Sequence, residues 1–390
     1  MKRPALLAGA AMLLVLAAPS PASASASASA SASAALSVPT PVLTNLCIDG
    51  FLDNDTVDAA RSSEGRVHGF AGWRYSTTCG DRITYFEGSG TSWRVGQTSL
   101  RGKVVDVAAD STGTYLLYII REIGVNEIAV ARRANDGTIT RHVLGSLGDA
   151  TGIEGRGSIV VKDGTWYAVW PKFEGGRYVL QQANTMFRGD ATARAVSVRV
   201  PSTPSASDTF PALALGPDGQ PRLFWQRSVA DAKKDLLLSI GRSGSWDAAT
   251  RVAPAVMIQS AFPSLDIAVT DRRTFLSWTD QTSEGDVAVV AEGSPGRWST
   301  TAPPGFYGTW DAHLVGSSSS VFAAFSTGDD RPGSAYVGHR HGSEPWTTGT
   351  AAHGIPHSID TFGVAALVYN GGGKTTSLIF STNELVAVHR

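Results

Sequence analysis

Three aspartates in the sequence have the chemistry that acid–base catalysis requires. Asp208, Asp280 and Asp311 lie in the phrases SDTF, WTDQ and TWDA. Cleavage of a glycosidic bond commonly uses two carboxyl groups about 5 to 10 Å apart, one as proton donor and the other as base or nucleophile. We therefore treat these three aspartates as candidate catalytic residues. The alternative is that they are solvated loop charges or caps of tight turns.

A second set of residues could bind a polar ligand. Trp310 lies in the phrase GFYGTWDAH, close to Tyr307 and His313, and falls outside the spacing of the other tryptophans. An indole ring offers an apolar face and a polar N–H group, so this segment is the best candidate for stacking on a sugar. A packed loop anchor is the alternative. The other candidate ligand-binding residues are Arg121, Arg227 and His357.

The histidines raise the question of a metal site. Six of the eight follow residue 312, and His339 and His341 fall on one face of a predicted strand. A metal ion or a lyase-type base is conceivable there. Spacing alone defines no tight cluster of ligands, so we predict neither a metal ion nor a cofactor.

A strand-like phrase, usually ending on an aromatic residue, recurs about every 50 residues. A turn rich in Gly, Pro, Asp or Ser joins each phrase to a preceding strand, and a second hairpin follows. Repeats of this length with four strands and no helix indicate an all-β fold, the β-propeller. We count seven blades, or six if an irregular unit is not a full blade. The phrases end at Trp73, Ile120, Trp170, Trp225, Trp278, Phe325 and Phe380.

Most of the ten tryptophans follow the same period. Four end second strands and four begin fourth strands, which favours packing between blades over ligand contact. A buried aromatic ring can fill the gap that widens between adjacent blades. These residues are Trp73, Trp170, Trp225 and Trp278 on second strands and Trp93, Trp246, Trp298 and Trp346 on fourth strands.

The two ends of the chain are expected to meet. The last unit has three strands before Arg390, and the phrase VLTNLC near the N-terminus has strand character. We predict that residues 41–48 supply the missing strand by pairing with residues 384–390. This pairing would close the ring and remove two exposed sheet edges. Residues 41–390 are then one propeller domain.

The N-terminus is typical of a secretion signal. Lys2 and Arg3 precede an apolar run over residues 6–18, and small residues follow. We assign residues 1–24 to a signal peptide with an undetermined cleavage site and residues 25–40 to a Ser/Ala-rich linker. The apolar run is too short for a stable membrane span, and no second candidate appears. The protein is thus expected to be secreted and not inserted in a membrane.

Cysteine usage and charge restrict the class of partner. Export makes a disulfide between Cys47 and Cys79 possible, the alternative being two buried free thiols. The net charge is −1, from 33 basic and 34 acidic residues, and no basic block stands out. Nucleic acid is therefore an unsuitable partner. We expect a monomer.

Three turns resemble a known repeat. The phrases GSGTSW, GRSGSW and GSPGRW contain Trp93, Trp246 and Trp298. They resemble the bacterial neuraminidase repeat, or Asp-box, of sialidase-like propellers, which reads Ser-x-Asp-x-Gly-x-x-Trp between third and fourth strands. Here the Ser, Gly and Trp are kept and the Asp is mostly absent. The resemblance implies a sialidase-like propeller in which these turns stabilise the fold.

The resemblance does not extend to a sialidase active site. Such a site would need three arginines around a carboxylate, a Tyr–Glu nucleophile pair and an acid Asp. The phrase F/Y-R-I-P, which usually carries the first arginine, is absent, and FPALA and FPSLD occupy similar places. We do not expect sialidase activity.

Taken together, the residues predict a secreted, monomeric propeller that binds an extracellular glycan or similar ligand in its central funnel. Segments that enter first strands and leave second strands would build that funnel. A polysaccharide-active enzyme, either glycoside hydrolase or lyase, is the first alternative. A protein-interaction scaffold is the second, because a propeller frame carries many unrelated functions.

Overall fold

The regular structure consists of strands throughout the described part of the chain. The computed structural model describes residues 40–44, 57–72, 80–122, 125–148, 157–187, 191–198, 206–230, 233–242, 244–258, 265–283, 285–294, 296–300, 309–327, 335–352, 363–381 and 384–389. No helix among these residues is long and apolar enough to cross a membrane. The predicted signal peptide, nearly all of the linker, and Cys47 and Cys79 lie outside the described residues.

The strands form antiparallel sheet units, which we number 1 to 7 in chain order. Unit 1 contains β2 (Val57–Arg61), β3 (Val67–Ala71), β4 (Arg82–Ser89) and the first part of β5 (Ser92–Asp110). Unit 2 contains the rest of β5, β6 (Gly113–Glu122), β7 (Val125–Arg133) and β8 (Ile139–Ser146). Unit 3 contains β9 (Ser158–Lys162), β10 (Thr165–Glu174), β11 (Arg177–Asn184) and the two-residue β12 (Arg194–Ala195).

The later units follow the same order. Unit 4 contains β13 (Asp208–Leu215), β14 (Pro221–Ala230), β15 (Lys233–Arg242), β16 (Ser245–Trp246) and β17 (Thr250–Met257). Unit 5 contains β18 (Asp266–Val269), β19 (Thr274–Thr282), β20 (Gly285–Ser294) and β21 (Arg297–Thr300). Unit 6 contains β22 (Thr309–Gly316), β23 (Ser320–Thr327), β24 (Ala335–His341) and β25 (Thr347–Ala352). Unit 7 contains β26 (Gly363–Gly371), β27 (Lys374–Ser381) and β28 (Glu384–His389), joined by β1 (Thr40–Thr44).

β5 belongs to two units because it changes partners along its length. Its residues up to Arg101 pair with β4, and its residues from Gly102 onwards pair with β6. Gly102 has a φ of +146°, and a Cβ there would lie 1.9 Å from the carbonyl oxygen of Ile119. Glycine is therefore required where the strand passes from one unit to the next.

The N-terminal strand pairs with the C-terminal one. β1 runs antiparallel to β28, with Thr40 opposite Ala387 and Thr44 opposite Glu384. Val42 and Leu43 of β1 are buried in an apolar cluster together with residues of units 1 and 7. Unit 7 thus has four strands, one of which comes from the other end of the chain.

The core lies between the units, as β6 illustrates. All of its residues from Tyr115 to Ile120 are buried. Successive side chains of a strand point to opposite faces. Tyr115, Leu117 and Ile119 accordingly pack in a cluster with unit 3, while Leu116, Tyr118 and Ile120 pack in a cluster with unit 1. The unbroken apolar run in the sequence reflects burial on both faces.

Each unit packs against the next along its first strand. β2 contacts β5, β5 contacts β9, and this pattern continues through β13, β18 and β22 to β26. β26 in turn contacts β2. A cluster of buried apolar side chains lies at each of these junctions.

The periodic tryptophans serve as packing residues wherever their side chains are described. Trp170, Trp225 and Trp278 are no more than 2% exposed. The four on or near fourth strands are partly buried against the clusters between units; they are Trp93, Trp246, Trp298 and Trp346. Trp73 lies outside the described residues.

Candidate functional site

The candidate residues Asp208, Arg227 and Asp280 lie near the same end of their sheet units. We call the end at which first strands begin the upper face and the opposite end the lower face. Because neighbouring strands are antiparallel, second strands end at the upper face. The first strands are level with one another, since Asp110 near the lower end of β5 accepts a 2.7 Å hydrogen bond from the Gly164 amide, at the lower end of β9. In the described residues, first strands therefore begin, and second strands end, at the upper face.

Asp208 and Arg227 form an ion pair at this upper face. They lie directly opposite each other on β13 and β14. Nε and Nη2 of Arg227 each donate to one carboxylate oxygen of Asp208, both at 2.6 Å. Nε1 of Trp225 donates to the Oδ1 atom of Asp208 at 3.0 Å. A bidentate pair of this kind fixes both side chains, so a predicted catalytic residue and a predicted ligand-binding residue hold each other in place.

Asp280 lies at the upper end of β19 and is partly exposed. Its Oδ1 atom accepts a hydrogen bond from the Met257 amide at 3.2 Å, which links unit 5 to the end of β17 in unit 4. Burial raises the pKa of the Asp280 carboxyl, although the amides of Met257 and Gln281 oppose the shift. A carboxyl group with a raised pKa holds its proton to a higher pH than an exposed aspartate does.

The Trp310 segment begins β22 at an irregularity. Trp310 pairs with Ser326 and His313 pairs with Ala324, so the register shifts at a bulge between them, which includes Asp311. Bulges re-aim side chains and are common next to functional sites. His313 is partly buried. The side chains of Trp310 and Asp311 are not described.

Of the remaining predicted residues, the structure describes only the backbone of Arg121. Arg121 is placed by its backbone in β6, opposite Asn126. Tyr307 and His357 lie outside the described residues. The proximity of these groups to Asp208 and Asp280 therefore stays a prediction.

Sequence analysis missed a set of buried carboxyl groups in the first strands. Asp58 accepts a hydrogen bond from the Val107 amide at 2.6 Å. Asp106 accepts from the Ile159 amide and from Oγ of Ser158, both at 2.6 Å. Asp266 accepts from the Leu314 amide at 2.7 Å. Each carboxyl group thus ties its first strand to the first strand of the next unit. The three aspartates lie in the similar phrases VDAAR, VDVAA and LDIAV, so alignment of the repeats could have found them.

These interior carboxyl groups have perturbed proton affinities. Burial raises the pKa of Asp58, and the neighbouring Asp106 raises it further. Burial also raises the pKa of Asp106. Burial raises the pKa of Asp266 to about 7, with a smaller contribution from the charge of Asp106.

The possible metal-binding side chains form no metal centre in the part of the chain that the structure describes. No group of three or more His, Cys, Asp or Glu side chains there is arranged to hold an ion. The amide and hydroxyl hydrogen bonds to Asp58, Asp106 and Asp266 instead give these carboxyl groups a structural role.

Comparison with known proteins identifies the fold. No family model matches the chain, and no curated protein matches its sequence. A puromycin hydrolase matches with a TM-score of 0.53 and 13% identity over 90% of this chain and 54% of the hydrolase. An α-L-arabinanase from Penicillium chrysogenum, complexed with arabinobiose, matches with a TM-score of 0.52 and 10% identity over 78% of this chain and 98% of the arabinanase. The polysaccharide lyase Uly1 matches with a TM-score of 0.51 and 12% identity over 91% of this chain and 98% of the lyase.

These similarities concern the fold alone, because the identities are at most 13%. The chain spans about half the length of the puromycin hydrolase. The protein is an all-β, propeller-like chain built from consecutive antiparallel sheets.

Proposed function

We propose that this protein is a secreted, monomeric seven-bladed β-propeller that binds an extracellular glycan at its upper face. Each sheet unit would form one blade, with the first strands lining a central channel. The pairing of β1 with β28 and the contact of β26 with β2 support a closed ring. The signal-like residues 1–24 support secretion.

The Asp208–Arg227 pair is the observation that favours binding over catalysis. Both oxygens of Asp208 accept bonds from Arg227, and one also accepts from Trp225. A carboxylate engaged in this way is poorly placed to transfer a proton to a substrate. The pair instead gives the upper face a fixed polar group.

A glycan fits such a surface because its hydroxyl groups both donate and accept hydrogen bonds. The partly exposed carboxyl of Asp280 can accept from a sugar hydroxyl, and the Trp310 segment enters β22 at the same face. The arabinanase and lyase that share the fold act on or bind saccharides by their names. These names support the proposal by analogy of fold only.

A glycan array followed by calorimetric titration tests the proposal. We expect saturable binding of at least one glycan, and binding about tenfold weaker in Asp280→Asn, because a hydrogen bond to a charged group is lost. Asp271→Asn is the matched control, since Asp271 is exposed in the lower-face turn between β18 and β19. Absence of glycan binding at millimolar concentrations would contradict the proposal and favour the protein-interaction scaffold.

The raised pKa of Asp280 supports a second candidate, a polysaccharide-active enzyme. A protonated carboxyl is what a general acid in a glycoside hydrolase requires. Incubation with polysaccharides should then release shorter products or unsaturated ends, and Asp280→Asn should abolish release while folding is kept. Glycan binding without product release would contradict the enzyme hypothesis and support glycan binding alone.

A further inference from the structure

A group of charged residues lies at the lower face, where units 1 and 2 meet. We call it the seam cluster; its members are Arg66, His68, Tyr85, Glu87, Arg94 and Arg133. His68 and Glu87 lie opposite each other on β3 and β4. Arg133, the last residue of β7, comes from unit 2. The cluster is therefore assembled from two sheet units, at the face opposite the proposed glycan site.

Tyr85 orients the only carboxylate at the centre of the cluster. Its hydroxyl donates to Oε2 of Glu87 at 2.8 Å, and the same hydroxyl is hydrogen-bonded to Nδ1 of His68. The guanidinium carbon of Arg133 lies 3.9 Å from the centre of the Tyr85 ring, a cation–π distance. Tyr85 is only 5% exposed. Its oxygen is thus a positioning group and is not open to a substrate.

Three guanidinium groups surround Glu87 without hydrogen-bonding to it. The shortest distances to its carboxylate oxygens are 3.6 Å from Arg66, 3.7 Å from Arg133 and 4.0 Å from Arg94. An N–H···O hydrogen bond needs about 2.7 to 3.2 Å between the heavy atoms. Glu87 therefore attracts the three arginines without satisfying their N–H donors.

Positive charge exceeds negative charge at the seam. Burial lowers the pKa of His68, which favours the neutral imidazole. The pKa of Glu87 is lowered because the Tyr85 hydrogen bond and the charges of Arg66 and Arg133 outweigh the effect of burial. Glu64, on the turn before Arg66, is close enough to act on His68. The cluster thus has three guanidinium charges, and the nearby carboxylates are those of Glu64 and Glu87.

We propose that the seam cluster binds an oxyanion, the carboxylate or sulfate group of an acidic saccharide or the free anion. A guanidinium group presents paired N–H donors that match the geometry of such oxyanions. The side chains of Arg66 and Arg94 are 39% and 80% exposed, so an anion can reach them from solvent. Glu87 would keep the arginines gathered, and the oxyanion would take up their remaining donors.

Calorimetric titration at low ionic strength tests this site. The probes are sodium sulfate, sodium glucuronate and, as the uncharged comparison, glucose. We expect saturable binding of sulfate and glucuronate and no binding of glucose at this face. Arg94→Ala should weaken anion binding about tenfold or more, because each charge-assisted hydrogen bond contributes substantially. The effect should shrink as salt is added, since an exposed site is screened.

Arg101→Ala is the matched control, because Arg101 is an exposed arginine of β5 outside the cluster. It should leave anion binding unchanged, and circular dichroism should show that both variants are folded. Equal sulfate affinity in the wild type and Arg94→Ala, or no saturable binding of either anion, would overturn the proposal. Sulfate binding without glucuronate binding would restrict the site to the free anion. Asp280→Asn at the upper face should not affect these titrations, so this test and the glycan test can fail independently.

Discussion

Asp208 at the upper face and the three aspartates of the first strands keep carboxyl groups away from water in opposite ways. Asp208 has a cationic partner, Arg227, with both side chains less than 20% exposed. Asp58, Asp106 and Asp266 accept hydrogen bonds from amide and hydroxyl groups, and Asp58 and Asp106 are also hydrogen-bonded to each other. A guanidinium group stabilises the ionised form, whereas the amides do not offset the burial that raises the pKa of the interior group. The upper face therefore has a fixed ion pair, and the first strands have carboxyl groups whose pKa values are raised.

The seam cluster differs from both regions because it has more cationic groups than carboxylates. There, three arginines share Glu87 at distances of 3.6 to 4.0 Å, against 2.6 Å in the Asp208–Arg227 pair. A one-to-one pair satisfies its own donors and acceptors. An excess of cations leaves N–H donors for an anionic ligand, and this is why we assign oxyanion binding to the seam cluster and only a positioning role to Asp208.

The largest effect expected from the comparison is a loss of stability as pH rises. The pKa of Asp266 is about 7 in the folded chain, against an ordinary value of 3.8. Between these values the folded chain keeps a proton that the unfolded chain has lost. The free energy of unfolding should therefore fall with rising pH, by about 4 kcal/mol for this residue between about pH 4 and pH 8. Urea unfolding at a series of pH values measures it.

Asp266→Asn isolates this effect. The amide oxygen can still accept from the Leu314 amide, but the side chain no longer titrates. The pH dependence should become shallower by the contribution of Asp266, while Asp271→Asn, an exposed control, should leave it unchanged. A stability that rises with pH, or an unaltered slope in Asp266→Asn, would show that the interior carboxyl groups are not protonated.

The next effect concerns the ion pair itself. Arg227→Ala should destabilise the fold by about 3 kcal/mol, because it leaves the largely buried Asp208 carboxylate without its cation. The matched control is Arg242→Ala, since Arg242 pairs with Asp247 at 2.8 Å but with side chains 64% and 44% exposed. That change should cost much less, because an exposed ion pair is screened by solvent. Urea unfolding measures both losses. Equal losses of unfolding free energy in the two variants would show that burial does not strengthen the Asp208–Arg227 pair.

A smaller loss of stability is expected when the hydroxyl group of Ser158, which links first strands of neighbouring units, is removed. Ser158 donates to Asp106 at 2.6 Å and accepts from the Leu213 amide at 3.0 Å. Ser158→Ala should destabilise the fold by about 1 to 2 kcal/mol, because a buried amide and a carboxyl group each lose a partner. Ser299→Ala, with a long 3.5 Å bond near the surface, is the control. No difference in thermal midpoint between the two variants would show that Ser158 does not link the units.

The sequence predicted the parts of the fold that depend on local periodicity. The aromatic-ended phrases correspond to second strands, and the burial of Trp170, Trp225 and Trp278 follows from their period. The aspartates of the first strands have a similar periodic signal, because they recur in matching phrases of the first strands of units 1, 2 and 5. They were missed because a carboxyl group was expected near solvent and not inside the sheet junctions.

The charge pairings could not be predicted in the same way. Asp208 lies opposite Arg227 because a bulge after Thr209 shifts the register of β13, and the sequence has no signal for that shift. The seam cluster depends on the position of Arg133 of unit 2 over the ring of Tyr85 of unit 1, a contact between residues 48 positions apart in the chain. Register and packing between units decide both sites, and neither is a local property of the sequence.

Hydrogen–deuterium exchange with and without a bound glycan tests the central proposal most directly. A ligand at the upper face should slow exchange in residues 206–210, 226–230 and 279–282, which enter first strands or leave second strands. The lower-face turns at residues 216–220 and 270–273 should exchange at the same rate in both states. Protection of those turns with no change at the upper face would contradict the assignment of the glycan site.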